Sequence, residues 1–508
     1  MKCLNSGIRF QDTSIIFIQI LHIIFMHSKT LYILFTLMVV LQTQGYSQSA
    51  GWNNNGGNPL RNGFSAVSGP ETDSVLWEVP SPGLFGTPVF IEDNYLVTMR
   101  FQSMTDAPVV CYQLNTGTLL WSVDVTNASG RSLPVGIRDG RVFVVRLTES
   151  QNDTLYALDV TNGSYLWTAD ATVAPYISES AVFDATGNLY IGGFQKTFKI
   201  NAETGQTIWE TTTVPMASGS GELAVNTSNN TGYTLEQSGG ISYLWATDLT
   251  NGVKKYSKIV NDLQPGGNVP QSALMVGQNQ IVYVQLTEDN IAAFSDDGSQ
   301  FNLLWQTTII GNSAFSLMCV DNDDAVYAPT GGRLVRLDGL TGDTLALSAY
   351  IGEGGLFTPR ISASNNNFIY ATTGEDSVFA FDKSLNKIWS AYLPNSNTSG
   401  VSLAPNGLAV VTGANIIRVY TPKTFTSRLE FDLSAIILYP NPTADYCIIK
   451  ADQRAMGKRY RLVGVTGQTI LAGILRNGTQ YLDLSAVPSG TYYLTIDGQS
   501  RSYAVIKQ

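Results

Sequence analysis

Histidine is nearly missing from this chain. Of 508 residues only His22 and His27 are histidine, and both precede residue 48. If residues 1–47 are a removable leader, the mature chain has none. That excludes a Ser-His-Asp triad, a Cys-His pair and every histidine-based metal site. Acid–base chemistry near neutrality would then rest on shifted carboxylates, lysine or tyrosine. Cysteine is almost as scarce. Cys3, Cys111, Cys319 and Cys447 lie far apart, with no CxxC pair, so nothing supports a zinc knuckle. The last three read as small buried hydrophobes, and spacing alone does not argue a bridge between Cys111 and Cys319. Charge is low as well: 14% of residues, against about 25% in ordinary soluble proteins. Basic residues are the poorer half. Without Lys2, Arg9, Lys29 and Asp12 the balance is 27 basic against 39 acidic side chains, or −12. A surface of that sign repels phosphate backbones, so nucleic acid is excluded as a natural partner.

The apolar run Leu31–Leu41 has eleven residues, well short of the roughly 20 that span a bilayer. Lys29 precedes it and Gly45-Tyr46-Ser47 follows. This is the order of a secretory signal peptide over 1–47. Met26 is an alternative start, which would leave residues 1–25 untranslated. An uncleaved N-terminal anchor is the competing reading.

What the chain does have is turn and strand material. Hydrophobic residues make up 44%, and there are 47 glycines. That composition suits many strands joined by tight turns, and argues against coiled coils, helical bundles and charge-rich disorder. The length allows about three ordinary domains, or one large repeat array plus a small domain.

A repeat settles the choice. CYQLNTGTLLW (111–121), YALDVTNGSYLW (156–167), FKINAETGQTIW (198–209), WATDLTNGVKKY (245–256) and FAFDKSLNKIW (379–389) share one pattern. An apolar strand ends in Asp or Asn. A short link follows, usually carrying Thr/Asn-Gly, and then an aromatic. The marker positions are Trp77, Trp121, Trp167, Trp209, Tyr256, Trp305, Ala346 and Trp389, spaced 41–49 residues apart. Short strands at that spacing with turns between them predict four antiparallel strands per unit, the size of one propeller blade. The aromatics Trp77, Trp121, Trp167, Trp209, Tyr256, Trp305 and Trp389 are expected as plates between neighbouring blades, each burying roughly 150–250 Å². Eight markers predict eight blades over 50–424. Seven is the alternative, if the 256 or 346 unit is a degenerate insertion. Trp77 is expected on a strand that pairs with the last blade and ties the ring shut.

YALDVTNGSYLW resembles the β-propeller repeat named after pyrroloquinoline quinone (PQQ) enzymes. Gly51–Ser65, GWNNNGGNPLRNGFS, is similar to the segment that precedes such propellers. The resemblance implies fold more than function, because the type includes both quinone-dependent dehydrogenases and non-catalytic scaffolds. The dehydrogenases carry an adjacent cysteine pair and a calcium site, and this sequence has no adjacent cysteines. No cofactor is therefore expected.

After a linker at 425–437 the repeat gives way to a compact tail, 438–508. Six strand candidates in about 72 residues suit a small immunoglobulin-like β-sandwich. Tyr439-Pro440-Asn441-Pro442, Val465–Gln468, LDLSAVPSGTYYL with Gly490 and Tyr492, and the final VIK resemble the C-terminal sorting domain of the type IX secretion system of Bacteroidota. The resemblance implies export through the periplasm to the cell surface or medium, with the secretion machinery as partner.

Other candidates are weak. Asp321–Asp324 is rich in oxygen ligands, but Val326 and Gly332 stand where an EF-hand loop needs Gly and Glu, so a hairpin turn is expected. Asp296-Asp297-Gly298 reads as a turn. No spacing selects a carboxylate pair for glycoside cleavage. The expected function is a secreted or surface β-propeller that binds a polysaccharide or another surface protein. The alternatives are a quinone-dependent oxidoreductase, a glycan-cleaving enzyme, or a periplasmic scaffold of the outer membrane.

Overall fold

The structure is a computed structural model. It describes residues 51–422 and 437–508, less short segments of which the longest are 126–130, 148–153, 174–180, 214–222, 261–273, 310–317, 353–360, 452–456 and 497–502. The leader and most of the linker lie outside the described residues. The chain divides into two compact units, Met1–Pro422 and Lys423–Gln508.

Every regular element among the described residues is a β-strand. The first unit holds eight sheets of meander order, the seventh gaining a fifth strand, Phe64–Ser65, parallel to Ser362–Ser364. In chain order the sheets occupy 90–123, 131–172, 182–212, 224–259, 274–308, 319–347, 362–392 and 401–420. The eighth takes its fourth strand from the N-terminal side. Val75–Pro80 pairs antiparallel with Ile416–Tyr420, with Glu78 opposite Arg418. An ion pair of 2.6 Å joins those two side chains. Lys254–Ile259 and Thr344–Leu347, the segments whose markers are not tryptophan, are the fourth strands of complete sheets.

Burial explains the sequence pattern. Inner strands are covered on both faces: all four residues of Ile369–Thr372 and of Ala409–Thr412 are buried. They therefore read as short continuous apolar runs rather than as alternating ones. Fourth strands are rims. In Thr118–Val123 only Trp121 is buried.

The turn before the rim strand is closed by an Asp or Asn in the second to seventh sheets and by Gln113 in the first. Asp248 accepts the Thr250 N–H at 2.8 Å on its carboxylate and the Gly252 N–H at 2.8 Å on its carbonyl. Gly252 sits at φ +75°, a conformation that costs glycine little.

The second unit has a three-stranded sheet (Ile437–Tyr439, Tyr446–Lys450, Thr479–Asp483) and a four-stranded one (Arg459–Gly464, Thr469–Ile474, Gly490–Ile496, Tyr503–Lys507). Cys447, Ile449 and Leu482 from the first share one apolar cluster with Leu462, Leu494 and Val505 from the second.

Candidate functional site

The repeat aromatics sit where sheets meet. Trp77, Trp121, Trp209 and Trp305 each donate Nε1–H to a main-chain carbonyl of the next sheet: Leu114 at 2.6 Å, Val160 at 2.8 Å, Leu249 at 3.0 Å and Gly339 at 2.9 Å. Trp389 donates to Pro70 at 3.2 Å and packs on Tyr420 of the eighth sheet at 5.2 Å. Trp167 lies against the ring of Phe143 at 5.8 Å.

A local device aims these side chains. All eight pairings of third with fourth strand slip register at the residue before the marker: Leu76, Leu120, Leu166, Ile208, Lys255, Leu304, Leu345 and Ile388. A β-bulge bends its strand and re-aims the next side chain. Here it turns the marker toward the neighbouring sheet and leaves its own residue outside, as with Leu120 and Ile388 at 40% and 46% exposed.

The glycine of the motif belongs to the same contact, one repeat later. A Cβ on Gly117, Gly163, Gly205, Gly252 or Gly342 would lie 2.6–2.9 Å from the ring of Trp77, Trp121, Trp167, Trp209 or Trp305 respectively. The two halves of the motif thus meet across sheets rather than within one.

Three interfaces depart from this, and at the one after the seventh sheet Trp389 meets Pro70 in place of a turn glycine. After the fourth sheet, Tyr256 donates its hydroxyl to the Asp296 carboxylate, which also accepts Tyr233 at 2.7 Å. Asp296-Asp297-Gly298 is the turn that supplies it. After the sixth sheet the marker is Ala346, and the seventh sheet's turn carries Leu385 at φ +61° instead of glycine. Leu385 is buried in the cluster on which Ala346 packs. A large side chain has moved to the other side of the interface.

The axial side is lined by the first strand of each sheet, and the segment after the expected leader lies against it. The N–H groups of Ile91, Ile137, Val225, Val276, Val320 and Ala363 donate to the carbonyls of Trp52, Asn53, Pro59, Leu60, Asn62 and Gly63 at 2.8–3.1 Å. These acceptors reach the first, second, fourth, fifth, sixth and seventh sheets in that order. Asn53 and Asn62 add Nδ2 bonds to the carbonyls of Ile137 at 2.9 Å and Val276 at 3.0 Å. Trp52, Asn54, Asn58 and Asn62 are buried. Sequence reading missed this. The usable signal was a Trp embedded in an Asn/Gly run with Arg61 as its one charge.

Carboxylates in the first turns are occupied by structure. Asp321 accepts Tyr327 at 2.9 Å and Arg336 at 3.3 Å, and its Oδ1 takes the N–H groups of Asp323 and Ala325. Asp184 does the same with Tyr190 at 2.9 Å, and Lys199 lies 3.6 Å away. Asp323 pairs with Lys383. Asp324 reaches the Gln278 N–H of the preceding sheet at 2.6 Å, and burial raises its pKa to about 6. Burial likewise pushes the Cys111 thiol up to about 12. Cys111, Cys319 and Cys447 are free and buried.

In the second unit the sorting motif holds the chain's last strand. Asn441 Nδ2 donates to the Ala504 carbonyl at 2.7 Å, and its Oδ1 accepts the Ile506 N–H at 2.8 Å. Thr443 and Ile506 join through the main chain at 2.8 Å. The Tyr439–Pro440 and Asn441–Pro442 bonds are cis. Tyr439 is exposed. Gly490 opens its strand, and Tyr492 is buried with its hydroxyl on the Pro488 carbonyl at 2.8 Å. The motif's two ends, YPNP and VIK, are one structural joint.

Residues 65–238 and 199–349 match the family model of the outer membrane protein assembly factor BamB, with PQQ-like repeats, and residues 437–507 match that of the secretion system C-terminal sorting domain. No curated protein matches the chain. Among solved structures, BamB from Moraxella catarrhalis superposes with a TM-score of 0.53 at 14% identity, covering 68% of this chain and 98% of that one. The quinohemoprotein alcohol dehydrogenase ADHIIG from Pseudomonas putida HK5 gives 0.55 at 13%, covering 73% and 80%. That of Comamonas testosteroni gives 0.56 at 12%, covering 79% and 84%. Such identities establish fold alone, a β-propeller. The sorting domain points to type IX export to the cell surface or extracellular space. Among the described residues no helix is long and apolar enough to cross a membrane. The chain belongs to the BamB-type, PQQ-like β-propeller family and ends in a type IX sorting domain.

Proposed function

We propose that this protein is a binding module displayed at the cell surface or released outside it, built on an eight-bladed propeller and followed by an immunoglobulin-like sorting sandwich. Eight sheets linked in sequence, with Trp77 joining the eighth back to the first, support the blade count. The observation that carries the function is the pairing of a rigid ring with an export tail, residues 437–507. A ring of this kind converges many loops on each end and so offers a broad recognition surface. Its ligand is a polysaccharide or another surface protein, a reading that rests on analogy of fold. A glycan array and a pull-down from surface fractions, both with purified mature protein, test it. Specific capture by either supports the reading, and silence in both removes it.

The fold shared with quinohemoprotein dehydrogenases motivates the enzymatic alternative. Titration with pyrroloquinoline quinone and calcium, read by absorbance, together with turnover of alcohols and sugars, decides it. Measured turnover overturns the binding-only reading. A periplasmic scaffold would keep its tail, so mass spectrometry finding Gln508 intact in the periplasmic fraction favours that role.

A further inference from the structure

We propose that residues 52–64 form an intramolecular plug that closes one end of the propeller axis, so that a ligand reaches the axis only from the other end. Every acceptor on this segment meets a first strand just short of the turn that follows it. Ile91 lies in Phe90–Glu92, Val276 ends Leu274–Val276, and Val320 ends Cys319–Val320. The segment therefore lies at the end that carries the turns between first and second strands.

Its twelve-residue course from Trp52 to Gly63 touches six sheets in ring order. An ordinary surface loop bonds to its neighbours only. Asn53 and Asn62 spend their amides on first strands, and Asn58 Nδ2 ties the segment to itself through Asn62 at 2.6 Å and Phe64 at 3.0 Å. Packing is close as well. A Cβ on Gly63 would stand 2.6 Å from Cys319 Cβ, and Gly63 lies at φ +67°. A through-channel could thread a polymer, whereas a ring stopped at one end takes a chain end or a compact group. That consequence for binding rests on the function proposed above; the plug itself does not.

Cys319 lies directly under the segment and reports on it. In a full chain with Cys111→Ala and Cys447→Ala it is the one thiol of the mature protein. N-ethylmaleimide should label it only at the rate of global unfolding. Asn62→Ala, which removes the bonds to Val276 and Phe64, should speed labelling at least tenfold with the circular dichroism spectrum unchanged. Rapid labelling of the parent, or equal rates in both, overturns the plug. Should Asn62→Ala not fold, hydrogen exchange on the unaltered chain decides. The amides of Ile91, Val276 and Val320 should be as protected as that of Val284 in a sheet interior, and loop-like exchange overturns the plug. No readout needs a ligand, so a silent glycan array removes the binding function and leaves the plug standing.

Discussion

Tyr256 donates its hydroxyl to Asp296 where five other interfaces set a tryptophan against a main-chain carbonyl. The substitution of partner is complete on both sides: a phenol replaces an indole and a carboxylate replaces the carbonyl. Tyr256→Phe should destabilise the first unit by about 1.5–3 kcal/mol, the usual cost of a lost bond to a charged group. Tyr233→Phe should cost a similar amount, because Asp296 serves both hydroxyls. Denaturant melts of the two single variants and the double check this, and additive losses would mean that the shared carboxylate does not couple them.

Gly205 and Gly298 separate two reasons for glycine. Both have positive φ, +77° and +86°. Only Gly205 faces a ring, at 2.6 Å from Trp167, while nothing lies within 4 Å of a Cβ on Gly298. Gly298→Ala should therefore cost about 1 kcal/mol of backbone strain. Gly205→Ala should cost about 2 kcal/mol more, from displacing the indole. Equal losses in thermal melts would contradict the cross-sheet contact.

Leu385 and Ala346 should behave as a swapped Trp–Gly pair. Leu385→Gly removes a buried side chain, at about 2 kcal/mol after relief of its left-handed backbone. Adding Ala346→Trp should recover at least about 1 kcal/mol of that loss in a double-mutant cycle. Ala346→Trp alone should destabilise, since Leu385 already fills the interface.

Stability should carry an acid-side signature from Asp324. Its folded pKa, about 6, lies above the ordinary 3.8 because it is buried, with Asp321 and Asp323 adding to the shift. The native state therefore holds more protons than the unfolded chain between those values, and this group makes the protein more stable as pH falls from 7 toward 4. Burial raises Glu92 in the same direction. Asp324→Asn should melt higher than the parent at pH 7.5, with the gap closing toward pH 4. A gap that widens on acidification would reverse the assignment.

Asn441→Ala should unfasten the last strand. It removes two bonds, to Ala504 and Ile506, for about 2–3 kcal/mol in all. Secretion assays should show the protein retained in the periplasm with its propeller folded. Tyr492→Phe, which gives up one bond to Pro488, should be exported nearly normally.

Much of this was legible in the chain. The Trp77 strand was expected to pair with the last sheet and does so through Ile416–Tyr420. The tail, with six strand candidates, has seven strands among the described residues, the first of them Ile437–Tyr439. What stayed hidden has physical causes. A bulge leaves no compositional mark, so Leu120 reads like core and is in fact half outside. The stretch from Trp52 to Phe64 looks like a solvated loop, because asparagine and glycine give no apolar period. Its burial comes from main-chain groups that only the assembled first strands can satisfy. Asn441 was noticed as part of a motif, but its partners lie more than sixty residues away.

Val75–Pro80 is synthesised early and its partner Ile416–Tyr420 late, with 340 residues separating Glu78 from Arg418. For most of its synthesis the chain carries an unmated strand edge that no local contact can shield. Closing the ring is therefore the last pairing open to the first unit, and until it is made the early strand is exposed to self-association.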